Sequence, residues 1–533
     1  PEANDGIPVT SDVVKNSCGG CHKTDDKGRM SRISYRRTTP EGWEHTVRRM
    51  VSLNSVKLTP EVARTVVRYL ADHHGLAPEE ARAGAFEVEK RLIEYKYAAD
   101  VDTEQTCIKC HSFGRVLMQR RTKEEWELLL AMHRGFYPLV DFQAFRRMGP
   151  AQTQPGPDGR PPDNRHPMEK AISHLASAFP LRTPEWSAWS VNIPQQQVAG
   201  RWALSGYQAG KGPFHGEYLV RQEQDSILTE ARFTWARTGA KEERKGRAVL
   251  YTGFQWRGRN MATGPDSAMR EVMFVERNQK EMSGRWFTGG YDEIGMDVRL
   301  ERIGRDAMVL GVDTPRLPQG ASGAKLVIYG VGLPSSGVLS LGAGISAKIL
   351  EGTAERVIAT VNVDASAPTG YRDLHFAGAV KQNALAVYGK IDGLKVRPLA
   401  GLARVGGIRF PKQLQQFEAI AFSNGPDDKP DTKDDVELGA VEVTWSVEEF
   451  TATFRDDDRQ FSGTLDGNGL FTPAVDGPND RRSGNRNNIG DLWIVATHNA
   501  GGKTLRARAH LLVAPPVYMR FDMGGMDASG GAQ

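Results

Sequence analysis

Two short segments contain the residues whose types and spacing point most directly to chemistry. Each has two cysteines separated by two residues, and a histidine directly follows the second cysteine. The residues are Cys18, Cys21 and His22 in the first segment and Cys107, Cys110 and His111 in the second. C-x-x-C-H is the pattern of c-type haem attachment. Two thiols about one helical turn apart can each add to one vinyl group of a porphyrin, and the histidine then lies under the iron as its proximal ligand.

Other uses of paired cysteines fit the sequence less well. A zinc site and a redox dithiol are the alternatives for a C-x-x-C pair. The histidine at the same position in both copies disfavours zinc, and the lack of a βαβ pattern around either pair disfavours thioredoxin-like chemistry. The chain has 4 cysteines, all of them in these two segments, so none remains for a disulfide. We therefore expect two covalently bound haems c.

The attachment chemistry also predicts a compartment. Haem c is attached after export, so we expect a periplasmic protein. The chain begins at Pro1, and its first residues include no apolar signal segment. Both observations are typical of a mature, processed chain.

The sequence around the two segments repeats. Two pairs of stretches match, namely 36–50 (RRTTPEGWEHTVRRM) with 120–133 (RRTKEEWELLLAMH), and 65–76 (TVVRYLADHHGL) with 170–181 (KAISHLASAFPL). The first pair aligns on Trp43 and Trp126 with a gap of one residue before the tryptophan. The repeat predicts two units, 1–85 and 86–182, each with a haem-binding helix, a middle helix and a closing helix.

The repeat also suggests the second ligand of each iron, because an electron-carrying haem normally has two protein ligands. The position seven residues after the tryptophan is Met50 in the first copy and His133 in the second. Seven residues are about two helical turns, so both side chains project from nearly the same face. We predict His22 and Met50 as the axial ligands of the first haem and His111 and His133 as those of the second. The alternatives are Met30 and His45 for the first haem and Met132, Met148 and Met168 for the second.

From about residue 183 the helical periodicity gives way to the alternation that is typical of strands. We expect an antiparallel β-barrel or meander at 183–305, an immunoglobulin-like β-sandwich at 306–393, and a second one at 394–533 with a loose C-terminal tail. The predicted fold is therefore multidomain. An all-α tandem dihaem cytochrome c domain at 1–182 precedes three all-β domains.

The β regions contain no recognisable catalytic motif, and two loops stand out. The acidic loop 424–439 (NGPDDKPDTKDDVELG) has enough aspartates to bind Ca²⁺, although its spacing is not that of an EF-hand and a solvated turn is favoured. The Pro- and Gly-rich segment 149–167 is either a disordered loop or an arm that packs on a partner.

Composition excludes several classes of protein. The chain has 533 residues, of which 39% are hydrophobic and 25% charged, so it is globular and long enough for several domains. Its formal net charge of +4 is small for this length, which argues against a nucleic-acid binder. No apolar stretch is long enough to cross a membrane as a helix.

A dihaem module followed by three β domains resembles the large (alpha) subunit of quinohemoprotein amine dehydrogenase. The resemblance covers the whole chain, and its specific part is the pair of C-x-x-C-H segments with the Trp43…Met50 and Trp126…His133 repeat. It implies a periplasmic heterotrimer with a propeller-shaped beta subunit and a small gamma subunit that carries a cysteine tryptophylquinone. Such a complex oxidises primary amines to aldehyde and ammonia. The two haems then deliver electrons to a blue-copper protein or a cytochrome c.

The cysteine count agrees with that division of labour. A cysteine-linked tryptophylquinone needs a free cysteine, and all 4 are used by the two haem segments. The quinone is therefore expected in another chain, and this chain is expected to have no catalytic residue of its own. Methionine ligation raises a haem potential relative to two histidines, which would let electrons enter at the second haem and leave from the first. Arginines around the first segment would attract an acidic acceptor, or form a solvated surface. They are Arg29, Arg32, Arg36, Arg37, Arg48 and Arg49.

Two other functions fit part of the pattern. A dihaem peroxidase also carries two haems in the periplasm, but it needs an iron with an open position and has no use for three β domains. A dihaem electron carrier fused to β-rich binding modules is the second alternative. Copurification of two tightly bound partner chains would distinguish the dehydrogenase from both.

Overall fold

We describe the protein from a computed structural model. It describes residues 5–516 except 87–96, 147–150, 152, 156–158, 160, 196, 224–225, 265–266, 289–293, 452–455 and 483–486. The chain forms two compact units. The N-terminal unit comprises the described residues of 5–195 together with Leu250–Gln255, and the β unit comprises those of 197–249 and 256–516.

The described helices of the N-terminal unit are short. They are α1 (Asp12–Cys18), α2 (Pro40–Asn54), α3 (Pro60–His73), α4 (Pro78–Arg82), α5 (Val101–Cys107), α6 (Gly114–Leu117), α7 (Lys123–Phe136), α8 (Val140–Gln143), α9 (Pro167–Ala178) and α10 (Pro184–Val191). Their starts follow from the sequence, because several begin after a threonine whose side chain accepts a backbone N–H of the first turn. Thr39 caps α2 and Thr122 caps α7 in this way, and Pro40 occupies the first position of α2.

A two-stranded antiparallel sheet joins the two repeats. Its strands are β1 (Arg36–Thr38) and β2 (Gln119–Arg121), and Arg37 pairs with Arg120 at the centre. β1 precedes α2 and β2 precedes α7 at equivalent places. The local arrangement is therefore a pseudo-twofold one, with the equivalent residues Arg37 and Arg120 facing each other at its centre.

The buried tryptophans follow the same symmetry. The Trp43 indole N–H donates to the carbonyl of His74 over 3.0 Å, and the Trp126 indole N–H donates to that of Phe179 over 3.2 Å. Both rings are almost completely buried. The capping residue precedes the tryptophan by four positions in each copy, so the structure aligns the repeats here without the gap that the sequence comparison introduced.

The predicted fold class is wrong. The structure is mostly β, with 41% strand and 20% helix, and no all-α tandem dihaem domain is evident at its N-terminus. The N-terminal unit contains the sheet of β1 and β2, which takes one strand from each repeat. Periodicity reveals an amphipathic helix of three or four turns, but a strand of three residues has no periodicity to detect. The sheet pairs one strand of each repeat, and the unit boundaries 1–85 and 86–182 stay a prediction.

The β unit begins with an eight-stranded closed barrel, as the sequence predicted for this region. Its strands are β3 (Gly200–Gln208), β4 (Gly212–Glu223), β5 (Ser226–Trp235), β6 (Lys241–Tyr251), β7 (Gln255–Met261), β8 (Met269–Val275), β9 (Glu281–Phe287) and β10 (Gly295–Arg302). Large aromatic residues are completely buried here, among them Trp202, Trp256 and Trp286. A barrel of eight strands is just wide enough for such side chains to fill.

Two four-stranded sheets follow the barrel. One contains β11 (Met308–Val312), β13 (Ala324–Val331), β15 (Ile345–Gly352) and β16 (Arg356–Val363), and the other β12 (Arg316–Pro318), β14 (Leu339–Ser340), β17 (Gly370–Phe376) and β18 (Ala379–Tyr388). One apolar core receives residues from both sheets, including Ile328 from the first and Phe376 from the second. Alternating inward residues of this kind are typical of a sandwich.

The last part of the β unit contains three small sheets. Its elements are β19 (Gly393–Arg397), β20 (Ala400–Arg404), β21 (Gln415–Gln416), β22 (Glu418–Ser423), β23 (Val436–Ala440), β24 (Thr444–Glu449), α11 (Asp458–Phe461), β25 (Gly463–Leu465), β26 (Leu470–Pro473), β27 (Gly490–Ala500) and β28 (Lys503–Ala514). Phe417, Phe471 and residues of β27 and β28 form its core. Within the described ranges, no helix combines the length and the apolar character needed to span a bilayer.

A buried ionic cluster lies beside the sheet of β1 and β2. Glu80 accepts hydrogen bonds from Arg37 at 2.7 and 2.9 Å and forms an ion pair with Arg120 at 3.1 Å. All three side chains are buried. Burial alone would raise the pKa of Glu80, but the hydrogen bonds and the charges of the two arginines outweigh it and lower the pKa to about 2.

We predict that Glu80→Gln destabilises the N-terminal unit by about 3–5 kcal/mol, because it leaves two buried guanidinium groups uncompensated. The stabilisation by Glu80 should be complete above the ordinary pKa of 4.5 and should disappear as the pH falls toward 2. Urea unfolding at pH 7 and at pH 3 measures both effects. The control is Glu79→Gln at the exposed neighbouring position, and equal stability of the two variants at pH 7 would contradict the prediction.

Candidate cofactor site

The first C-x-x-C-H segment begins at the last residue of α1. Cys18 ends the helix, and its carbonyl accepts the backbone N–H of His22 over 2.9 Å, which continues the turn and places the histidine one turn further on. The Nδ1 atom of His22 lies 2.9 Å from the carbonyl oxygen of Ser31. A proton on Nδ1 donates to this carbonyl and leaves Nε2 as the nitrogen with a lone pair for a metal.

The second segment is built in the same way. Cys107 is the last residue of α5, and the Nδ1 atom of His111 lies 2.8 Å from the carbonyl oxygen of Ser112. Each helix starts at a polar cap whose side chain accepts a backbone N–H, Ser11 in α1 and Asp100 in α5. The two segments thus share helix, cap and histidine orientation, although they differ in the residues between the cysteines.

A cavity of ≈ 450 Å³ lies against the second segment. Cys107, Cys110, His111 and His133 all line it, so the structure brings together the four residues that the sequence predicted for the second haem. The first-repeat residues Cys18, Cys21, His22 and Met50 are not among its lining residues. The cavity wall contains both cysteines of the second segment and three histidines, which fits a covalently attached porphyrin with two axial nitrogen ligands.

His133 has the geometry of a metal ligand. It lies in the last turn of α7, and its Nδ1 atom is 2.8 Å from the carbonyl oxygen of Leu129. Burial lowers the pKa of His133, so the imidazole is neutral at pH 7. His22, His111 and His133 therefore share one pattern, in which a backbone carbonyl fixes Nδ1 and orients Nε2. Partners of this kind commonly fix the tautomer and the ring of ligating histidines.

The structure places the candidates for the first haem in different surroundings. Met50 is half-buried on α2, and its Sδ lies 3.7 Å from the side-chain nitrogen of Asn54. Met30 is completely buried in an apolar cluster with Trp43, against which Cys18 packs. Among the described residues, neither sulfur forms a hydrogen bond with His22. The choice of Met50 stays a prediction.

The structure also places the other alternative ligands in different surroundings. His45, which we had considered for the first haem, instead lines the cavity of the second segment together with Met132. Met168 packs against a cluster formed by Leu130, Val140, Phe145 and Ile172, and Met148 lies outside the described residues. His45 is therefore a rival of His133 that sequence comparison missed. It belongs to the first repeat, and only the packing of α2 against the second repeat brings it there.

Cationic side chains in the cavity wall are the second feature that the sequence did not reveal. Arg36, Arg48, Arg49, Arg115 and Arg121 line the cavity. Of these, Arg36, Arg48 and Arg49 are predicted from the sequence to surround the first haem segment. In the sequence, a pair of arginines precedes the capping threonine in both repeats. This pair gives no indication that the arginine side chains are buried.

The thiols of Cys18, Cys107 and Cys110 are not activated as nucleophilic thiolates. Burial raises the pKa of Cys107 to about 12, and it also raises those of Cys18 and Cys110. Redox-active C-x-x-C pairs show the opposite shift. This difference disfavours thiol–disulfide exchange.

Aspartates of the acidic loop 424–439 form ion pairs with lysines that lie outside the loop. Lys390 pairs with Asp428 at 2.6 Å, and Lys395 pairs with Asp431 at 2.7 Å. Among the described residues, the group of acidic side chains with metal-like spacing lies elsewhere, at Glu449, Asp456 and Asp458. The predicted segment 149–167 falls partly on residues that are not described.

Comparison with protein families covers most of the chain. Residues 9–149 match the haem-binding domain of "quinohemoprotein amine dehydrogenase A, alpha subunit". Residues 195–303, 306–389 and 394–523 match domains II, III and IV of the alpha subunit of quinohemoprotein amine dehydrogenase. The four matches follow one another in chain order.

Other comparisons are less informative. No curated protein matches the chain. A redesigned beta barrel matches with 11% identity over 20% of this chain and 92% of its own, at a TM-score of 0.18. Human Protocadherin-24 EC1-2 matches with 14% identity over 40% of this chain and 99% of its own, at a TM-score of 0.15. Scores this low support no inference.

We predict that His133→Ala converts the second haem from a six-coordinate low-spin to a five-coordinate high-spin state, because the sixth ligand is lost. His45→Ala is the matched variant from the same cavity and should leave the spin state unchanged. The ferric visible spectrum and electron paramagnetic resonance distinguish the two states. The opposite pattern, with a spin change only in His45→Ala, would identify His45 as the ligand.

For the first haem, we predict that Met50→Leu removes the weak absorption that marks a bond between methionine sulfur and ferric iron. Met30→Leu conserves volume in the apolar cluster and should retain the band. Near-infrared spectra of the two variants test the assignment. Loss of the band in Met30→Leu alone would assign Met30 instead.

Proposed function

Because the chain belongs to the family of quinohemoprotein amine dehydrogenase alpha subunits, we propose that it is the electron-transfer subunit of an amine dehydrogenase and carries two covalent haems c. The first is attached to Cys18 and Cys21 with His22 and Met50 as axial ligands. The second is attached to Cys107 and Cys110 with His111 and His133. These site assignments come from the sequence, and the structure supports them unequally.

The observation that carries the proposal is the cavity of the second segment. One wall supplies the two cysteines and His111, and α7 supplies His133. When bound, the haem iron supplies one-electron chemistry by alternating between its ferric and ferrous states. The residues of the cavity wall would hold such a group in a fixed orientation.

The backbone contributes to this rigidity. His22, His111 and His133 each direct Nδ1 to a main-chain carbonyl, so each ring is held at both its Cβ and its Nδ1. The Trp126 ring, which is hydrogen-bonded to the Phe179 carbonyl, lines the same cavity and fixes the position of α7. A ligand on a helix fixed in this way does not need to move between oxidation states.

The chemistry of amine oxidation belongs to another chain in this proposal. All 4 cysteines occur in the haem segments, so none is left to form a cysteine tryptophylquinone. We infer a small quinone-bearing gamma subunit and a propeller-shaped beta subunit as partners in a periplasmic heterotrimer. The oxidised substrates are primary amines, and a soluble blue-copper protein or cytochrome c accepts the electrons.

We predict that the intact chain has the mass of its polypeptide plus two haems. The double variant Cys107→Ser/Cys110→Ser should lose one haem and about half of the pyridine haemochrome absorbance, and Cys18→Ser/Cys21→Ser should do the same. Intact mass spectrometry of protein matured in a host with a c-type attachment system measures both. A wild-type chain without covalent haem, or with zinc at either segment, would contradict the proposal.

A further inference from the structure

Arg36 is a buried cation without a matching anion. It lies on β1, is 8% exposed and lines the cavity of the second haem segment. Its terminal nitrogens donate to the Thr46 hydroxyl over 2.6 Å and to the Gly42 carbonyl over 3.3 Å, which are neutral acceptors. Its Nε–H is buried and has no hydrogen-bond partner among the described residues.

Arg49 repeats this situation on α2. It also lines the cavity, and its Nε–H is likewise buried without a partner in the described part of the chain. Burial lowers the pKa values of both arginines, and the charges of neighbouring arginines lower them further. Two guanidinium groups thus face one cavity with part of their hydrogen-bonding capacity unused.

The neighbouring carboxylate already has other arginines as partners. Glu125 is buried and accepts Arg32 over 2.9 Å, and Arg121 approaches it within 3.6 Å. The charge of Glu125 also acts on Arg36, and Glu41 is a further carboxylate of the cavity wall. Neither Arg36 nor Arg49 forms an ion pair with any described carboxylate. An isolated charge in a low-dielectric interior costs several kcal/mol unless it is compensated. The arrangement therefore calls for further anions in the cavity.

The proposed porphyrin would bring anions of the right kind. Its vinyl groups, which react with Cys107 and Cys110, and its two propionates lie on different edges of the ring. A porphyrin fixed by the cysteines therefore carries two carboxylates toward another part of the cavity wall. Guanidinium groups bind carboxylates through directional, charge-assisted hydrogen bonds.

We propose that Arg36 and Arg49 bind the propionates of the second haem and tune its reduction potential, an inference that rests on the proposed haem at Cys107 and Cys110. Both arginines belong to the first repeat, so each repeat contributes to this one site. Positive charge near the iron disfavours the ferric state more than the ferrous state. The two residues therefore raise the potential of the second haem.

The effect is specific to one haem. In the ungapped register of the repeats, the positions equivalent to Arg36 and Arg49 are Gln119 and Met132, which are uncharged. The first haem segment thus has no counterpart of this arginine pair at the equivalent positions. Substitution should shift one of the two haem potentials and leave the other in place.

The test uses the full chain after haem attachment, with Arg36→Gln, Arg49→Gln and the charge-retaining Arg36→Lys. Arg64→Gln is the control, because Arg64 belongs to the same repeat but is not a lining residue of the cavity, is exposed and pairs with Glu61 at 3.0 Å. Haem content is checked by mass. Spectroelectrochemistry gives both potentials, and the resonance Raman propionate bending mode reports hydrogen bonding to the carboxylates.

We expect a lower potential for one haem in Arg36→Gln and in Arg49→Gln, with a shifted propionate mode. Arg36→Lys should retain most of the potential, and Arg64→Gln should change little. The haem that shifts must be the one lost in Cys107→Ser/Cys110→Ser. If Arg36→Gln does not mature, Arg49→Gln decides, because its half-buried side chain is easier to replace.

The failures of the two proposals are distinguishable. A wild-type chain without covalent haem would overturn the proposed function. A wild-type chain with two haems, whose potentials and propionate modes are unaffected by the mature glutamine variants, would overturn this inference alone. A shift of the first haem instead of the second would also overturn it.

Discussion

Compensation of buried guanidinium groups is the constraint on which the N-terminal unit depends. Arg37 and Arg120 pair across the centre of the sheet of β1 and β2 and share the buried Glu80. That sheet fixes the starts of α2 and α7, and α7 carries His133 into the cavity of the second haem segment. The position of His133, the proposed iron ligand, therefore depends on an ion cluster rather than on helix packing alone.

The candidate attachment residues could be named from the sequence, because haem attachment requires a fixed spacing of cysteines and histidine. The repeat suggested His133 as a ligand, and the structure places it in the same cavity as His111. The contribution of the first repeat to this cavity was not predictable. Arg36 and His45 reach it through contacts between repeats, which leave no local pattern in the sequence. The short strands β1 and β2 were not predicted for the same reason, because strands of this length are defined only by their pairing.

The two proposed effects act in opposite directions on the difference between the haem potentials. Methionine ligation would raise the potential of the first haem, whereas Arg36 and Arg49 would raise that of the second. Together, the two proposed effects would reduce the difference in potential between the haems. The β unit contributes no cysteine, and its barrel and sandwich cores are filled by their own side chains. This composition agrees with the proposal that the β unit is a scaffold to which the partner subunits bind.

The central claim is that this chain receives electrons from amine oxidation in a partner subunit. The most direct measurement is the visible spectrum of the native complex while a primary amine such as n-butylamine is added without oxygen. The account predicts copurifying partner chains and the appearance of ferrous haem c bands at a rate that depends on the amine concentration. Haems that stay ferric with amine in the intact complex, yet are reduced by dithionite, would contradict it.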